Sequence, residues 1–94
     1  MFIVTLSYLV GLSEVDKYLP LHVEYLDKCY DDGVFLMSGR TEPRTGGVIL
    51  ATSTSKEQLE VVLSEDPFFK TGIAEYQITE FVPSKTAKEL DYLL

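Results

Sequence analysis

The hydrophobic period of this chain switches between two and 3.6 residues in an order that few folds accept. From Phe2 to Leu9 it is two, with Phe2, Val4, Leu6 and Tyr8 on one face and Ile3, Thr5 and Ser7 on the other. That alternation predicts a strand. From Ser13 to Asp32 the period is helical, with Val15, Leu19, His22, Leu26 and Cys29 on one stripe. Val34 to Thr41 and Val48 to Ser53 read as strands again, and the turn Pro43 to Gly47 between them predicts a hairpin. Leu59, Val62 and Leu63 mark a second, shorter helix, and Ile73 to Val82 a fourth strand after Gly72. The order β-α-β-β-α-β is that of the ferredoxin-like split βαβ unit. It predicts an α+β fold with an antiparallel four-stranded sheet and both helices on one of its faces.

Local signals set the expected boundaries. Gly11 breaks the first strand, and Ser13 with Asp16 three residues on stands as a helix start. Pro20 predicts a break or kink near Lys17 to Leu19, which would place His22 in the first turn after it. Asp31-Asp32-Gly33 closes the helix. Ser55 with Gln58, or Thr54 with Glu57, opens the second helix, and Asp66-Pro67 ends it. The tail Ser84 to Leu94 has a helical pattern in Ala87, Leu90, Leu93 and Leu94. With no linker, repeat or low-complexity segment, residues 1–94 read as one domain, with a core over 1–82 and a C-terminal helix over 84–94.

The strands are apolar on both sides. Phe2, Val4 and Leu6 oppose Ile3, and Phe35 and Met37 oppose Val34 and Leu36. Helices cover one face only, so the other predicts a large apolar patch covered by a second copy of the chain.

Composition excludes several classes of function. The 94 residues carry a formal charge of −7 with no Lys/Arg cluster, which argues against nucleic acid and against anionic membrane surfaces. No apolar run approaches the ~20 residues of a membrane span. Met1-Phe2-Ile3-Val4-Thr5 lacks a basic n-region, so no signal peptide is expected. A single cysteine forms no internal disulfide and fits a reducing, cytoplasmic setting. One histidine and one cysteine make a weak zinc set, and no dinucleotide or phosphate-loop fingerprint occurs. Neither a metal nor a cofactor is expected.

His22 is the only side chain whose unperturbed pKa lies near neutrality. On an apolar stripe it points to the interior or to a pocket. Two readings stand: a structural histidine bonded to backbone, or a general acid/base. The second needs a partner on the other ring nitrogen. Asp66, in Asp66-Pro67-Phe68-Phe69, sets a carboxylate beside aromatic bulk and is the candidate. Its plainer reading is a turn residue. Ser38, Gly39, Arg40 and Arg44 gather near the end of the second strand and the hairpin, where arginine forks suit a carboxylate or phosphate. Tyr8 and Tyr76 are pocket-lining or core tyrosines. Cys29 lies on the apolar stripe and reads as core packing.

Taken in order, these residues resemble the YCII-like family. The resemblance runs from Met1 to about Val82. It covers the Phe2-Ile3-Val4 strand, Leu21-His22-Val23-Glu24-Tyr25-Leu26, Gly33-Val34-Phe35-Leu36-Met37-Ser38-Gly39, Gly47-Val48-Ile49-Leu50-Ala51 and Asp66-Pro67-Phe68. It implies a ferredoxin-like subunit paired into a dimeric α+β barrel, with an active site centred on His22 and Asp66. Ser38, Gly39, Arg40, Arg44, Phe68 and Tyr8 then become substrate-binding candidates for a small organic ligand, with the arginines favouring an anion. A chloromuconolactone dehalogenase belongs to that family, and muconolactone isomerases share the barrel. The chain departs from the family pattern at Leu19-Pro20-Leu21, where an arginine often precedes the histidine, and at Arg40, where a proline often follows the second strand. The leading expectation is a lyase or isomerase using a His/Asp pair. The alternative is a noncatalytic ligand-binding or dimerisation module. An oxygen-using monooxygenase rests on barrel architecture alone.

Overall fold

The computed structural model describes every residue, Met1 to Leu94. Its elements are β1 (Phe2–Tyr8), α1 (Leu12–Asp31), β2 (Phe35–Arg40), β3 (Gly46–Ala51), α2 (Lys56–Ser64), α3 (Pro67–Lys70) and β4 (Ala74–Glu80), followed by a 3₁₀ helix (Lys88–Leu93). The sheet order is β2-β3-β1-β4, and every neighbouring pair is antiparallel. This is the ferredoxin-like arrangement that the order of periods predicts. Phe2, Val4, Leu6, Phe35, Ile49 and Ala51 from the strands share one core with Val15, Tyr25, Cys29, Leu59, Leu63 and Phe68 from the helices. Each of the Val, Leu, Ile and Phe side chains among them contributes roughly 1.5–3 kcal/mol when fully buried.

The ends of α1 differ from expectation at one end and agree at the other. Gly11, not Ser13, occupies the cap, and no side chain bonds the first turn. Pro20 does not break the helix, which runs unbroken through it. The ring lies on the exposed side, where the carbonyl it strands, four residues back, is open to water. Burial of Val15 ahead of it and of His22, Tyr25 and Cys29 behind it outweighs the roughly 3 kcal/mol cost of an internal proline. At the C-terminus Gly33 adopts φ +75, and the amides of Gly33 and Val34 return to the carbonyls of Tyr30 and Cys29.

The hairpin holds a correction that bears on the site. Simple alternation puts Ser38 on the face opposite Phe35. A bulge falsifies it: Phe35 pairs with Ala51 and Met37 already with Leu50, leaving Leu36 as the extra residue. Phe35, Ser38 and Arg40 consequently share the helix-covered face, opposite Ala51, Ile49 and Gly47. Met37 lies on the open face beside Leu50 and Ile3. Beyond the hairpin, β3 enters the sheet at Gly46, where a Cβ would stand 1.8 Å from the Leu6 carbonyl oxygen. Only glycine allows β1 and β3 to meet there.

Two further boundaries moved. Ser55 caps α2 through its side chain, as expected. Asp66 does more than end that helix: it caps α3, with Pro67 in the first turn. The tail forms only the short 3₁₀ helix, with no buried residue. A segment this short without a surface to pack against does not sustain an α-helix.

Candidate functional site

Asp66 is positioned by its own cap. Its Oδ1 accepts the Phe68 amide at 3.0 Å, which fixes the carboxylate at the start of α3, against α1. The same Oδ1 accepts Nδ1–H of His22 at 2.8 Å. Oδ2 accepts the hydroxyl of Tyr76 from β4. Asp66 is 0% exposed, and a buried carboxylate is tolerable only with partners of this kind. The acceptor-only carboxylate assigns the imidazole proton to Nδ1 and leaves the lone pair on Nε2.

The His22 ring is clamped as well as tied. It stacks on Phe68 with centroids 4.0 Å apart and planes 5° from parallel, while Tyr25 lies beyond it at 6.3 Å. Nε2 has no protein partner. It is not sealed in either, since the one buried unpartnered side-chain polar atom of the chain is Thr86 Oγ1. His22 borders a cleft of about 310 Å³ between α1 and the β1–β3–β2 part of the sheet. Nε2 is therefore the atom the site offers to a ligand.

The cleft gathers the residues singled out in the sequence. Tyr8, Ser38, Gly39, Arg40, Arg44 and Phe68 line it together with His22, and Asp66 stands behind the histidine. Ser38 reaches it because of the bulge, and its hydroxyl shares a hydrogen bond of 2.6 Å with Tyr30. Arg44 is held by Asp16 at 2.7 Å, and that bond keeps its guanidinium proton more firmly than usual. Arg40 has only Glu42 at 3.6 Å, and both side chains are largely exposed. Leu6, Leu19, Val23, Leu26 and Ile49 complete an apolar floor and wall.

The sequence underrated Tyr76. Burial first, then the Asp66 carboxylate, pushes its hydroxyl well above the ordinary phenol range. The signal was present, since a tyrosine on the core face of a strand needs a partner for its hydroxyl. Tyr25 meets the same need at the Val62 carbonyl, 2.7 Å away, and its hydroxyl is likewise raised, chiefly by burial. Cys29 is buried and its thiol raised, chiefly by desolvation, the opposite of what a nucleophilic thiol requires. No group of three or more His, Cys, Asp or Glu side chains converges, and no helix is long and apolar enough to cross a membrane.

Fold and site together define a ferredoxin-like α+β domain with a His/Asp pair at the wall of a small cleft. The YCII-related domain matches residues 1–82, and the chain belongs to that family. No curated protein sequence matches it. Among solved structures it is similar to a 5-chloro-2-hydroxyhydroquinone dehydrochlorinase from Burkholderia phenoliruptrix AC1100, determined in complex with 2,5-dihydroxybenzoquinone. The two share 19% identity with a TM-score of 0.74, over 96% of this chain and 98% of the other. That likeness establishes the shared fold.

Proposed function

We propose that this protein binds a small organic anion in the cleft and moves a proton on it, as a lyase or isomerase. One observation carries the reading: the sole histidine borders a cleft of about 310 Å³ with Nδ1 tied to a buried carboxylate and Nε2 left without a protein partner. In this chemistry Nε2 takes a proton from a carbon next to a carbonyl. The electron pair left behind forms an enolate. In an elimination that pair expels a halide together with the electrons of the carbon–halogen bond. In an isomerisation the same proton returns at another carbon. Asp66 remains a carboxylate throughout and stabilises the imidazolium. The dehydrochlorinase neighbour supports a reaction of this class on an oxygenated ring.

Arg40 would take the anionic group of the substrate: it lines the cleft, and its carboxylate partner, Glu42 at 3.6 Å, is largely exposed and binds it loosely. We also propose that the open sheet face, with Ile3, Met37, Val48 and Leu50, packs on the same face of a second copy. Light scattering at micromolar concentration should then give twice the mass of the chain, and a stable monomer would refute it.

The catalytic test is turnover of 5-chloro-2-hydroxyhydroquinone, followed by chloride release, alongside lactones and 2-oxo acids followed by proton exchange. His22→Ala should lose a factor of ~10²–10⁴ while still binding 2,5-dihydroxybenzoquinone, the probe for cleft occupancy. Probe binding with no His22-dependent turnover on any of these would instead establish a noncatalytic ligand-binding module.

A further inference from the structure

We infer that Tyr76 is a positioning residue for His22: from the far side of Asp66 its hydroxyl pins the carboxylate so that Oδ1 meets Nδ1–H and Nε2 faces the cleft. The inference rests on the acid/base reading of His22. Its argument is one of unequal demand on two oxygens. Oδ1 already serves two donors, the Phe68 amide and His22 Nδ1–H, whereas Oδ2 has Tyr76 alone. Without that hydroxyl Oδ2 would be a buried acceptor with nothing to accept. The carboxylate would then gain by rotating about Cβ–Cγ to share the two remaining donors between its oxygens. Such a rotation tilts Oδ1 away from the imidazole plane and weakens the bond that selects the tautomer.

Tyr76 is placed for this and for little else at the site. Its backbone pairs with Leu6 across β1–β4, which sets its side chain on the helix-covered face. Its ring is fixed edge-on to Phe69, with centroids 5.7 Å apart. It does not border the cleft that His22 lines, so it cannot touch a ligand there and acts only through Asp66. Ala74 and Ile78, two residues to either side on the same strand face, carry no polar group. Apolar packing would satisfy this strand, and the hydroxyl is the one feature that packing leaves unexplained. Burial keeps that hydroxyl protonated over the whole ordinary pH range, so the tie holds wherever His22 could work.

The sole histidine allows a test without any substrate. In ligand-free protein labelled with ¹⁵N, the ring nitrogens report the tautomer directly, and a downfield Nδ1–H proton reports the bond to Asp66. Diethyl pyrocarbonate, which acylates the free ring nitrogen, measures how available Nε2 is. Wild type should show one tautomer and the downfield proton. Tyr76→Phe should lose or broaden that proton, mix the tautomers and change the acylation rate by threefold or more. Leu59→Ala, in the core and outside the cleft, serves as the packing control and should lower the melting temperature with the histidine signals unmoved. The inference is overturned if Tyr76→Phe lowers stability as Leu59→Ala does and leaves tautomer and acylation rate at wild-type values. Should Tyr76→Phe fail to fold, 3,5-difluorotyrosine at position 76 keeps the ring and makes the hydroxyl a stronger donor. An unshifted Nδ1–H proton in that protein also overturns it. These signals exist whether or not turnover is found, so a failed search for a reaction refutes the catalytic reading and leaves the positioning role measurable.

Discussion

The two ends of the cleft are built on opposite physical terms. At the His22 end every polar atom except Nε2 is paired and Asp66 has no exposed surface. At the hairpin end Arg40 stands in solvent with a loose partner, and Arg44 shares its charge with Asp16. The first end is held by burial, where a lost partner leaves a desolvated charge. The second is held by strand register and Coulomb attraction in a high dielectric, where a lost partner costs little. Under the proposed function, the proton transfer falls to the buried end and the choice of ligand to the end that can change cheaply.

Asp66→Ala should separate the two ends most. It strands His22 Nδ1–H, the Phe68 amide and the Tyr76 hydroxyl inside the protein, and the expected loss is ~3–5 kcal/mol of stability, read from urea unfolding. Asp66→Asn, which keeps the shape, should lose less. Equal and small effects of both would show that the buried network is not what holds this end.

Alkaline pH should loosen the same end next. The Tyr76 and Tyr25 hydroxyls and the Cys29 thiol all have folded-state pKa values raised above their ordinary ones. The fold therefore holds these protons more tightly than the unfolded chain does. The resulting stabilisation is fully present below the unfolded pKa values, about 8.5 for the thiol and about 10 for the phenols, and fades as pH rises beyond them. Unfolding at pH 8, 10 and 11 should show that decline, and Tyr76→Phe should make it shallower. An unchanged slope in that variant would mean Tyr76 contributes nothing to it.

Arg40→Gln tests the other end. Binding of the dihydroxybenzoquinone probe should weaken about five- to tenfold, and the difference should shrink as salt screens it. Stability should stay within about 0.5 kcal/mol of wild type. Arg44→Gln should weaken the probe less, because Asp16 already offsets that charge. Calorimetry at low and high salt reads both, and a larger effect at Arg44 would reverse the assignment of the anion contact.

The smallest effect is expected from removing Leu36. It is the surplus residue of the bulge, so its deletion turns β2 into a regular strand with Phe35, Ser38 and Arg40 still on the helix-covered face. Probe affinity should change by no more than about twofold. A large loss would show that the bulge sets the shape of the rim beyond its facing.

Much of this was legible one residue at a time. The strands, both helices, the glycine stop at Gly33 and the Ser55 cap follow from period and local chemistry. The residues alone offer Asp66 only as a candidate partner for His22, and it is the resemblance to the YCII-like family that makes the two one site. Their 2.8 Å contact lies across 44 positions and required two helices to be laid on one sheet. The misplaced features share a cause. Pro20 was read by its local penalty, which tertiary burial overrode. The tail was read by its local pattern, which no tertiary surface supported. Simple alternation along the strand misplaces Ser38, because the one extra residue, Leu36, reverses its facing.

Sequence by itself determined the order of elements, the composition of the core and the identity of the one side chain suited to proton transfer near neutrality. Those follow from hydrophobic period, turn chemistry and intrinsic pKa, which act over a few residues. Only the tertiary structure decided that Tyr76 supports Asp66, that Arg44 is tied to Asp16 while Arg40 is not, and that Ser38 faces the cleft. Each of these depends on which atoms burial brings within hydrogen-bond distance, and that is set by register and packing between segments far apart in the chain.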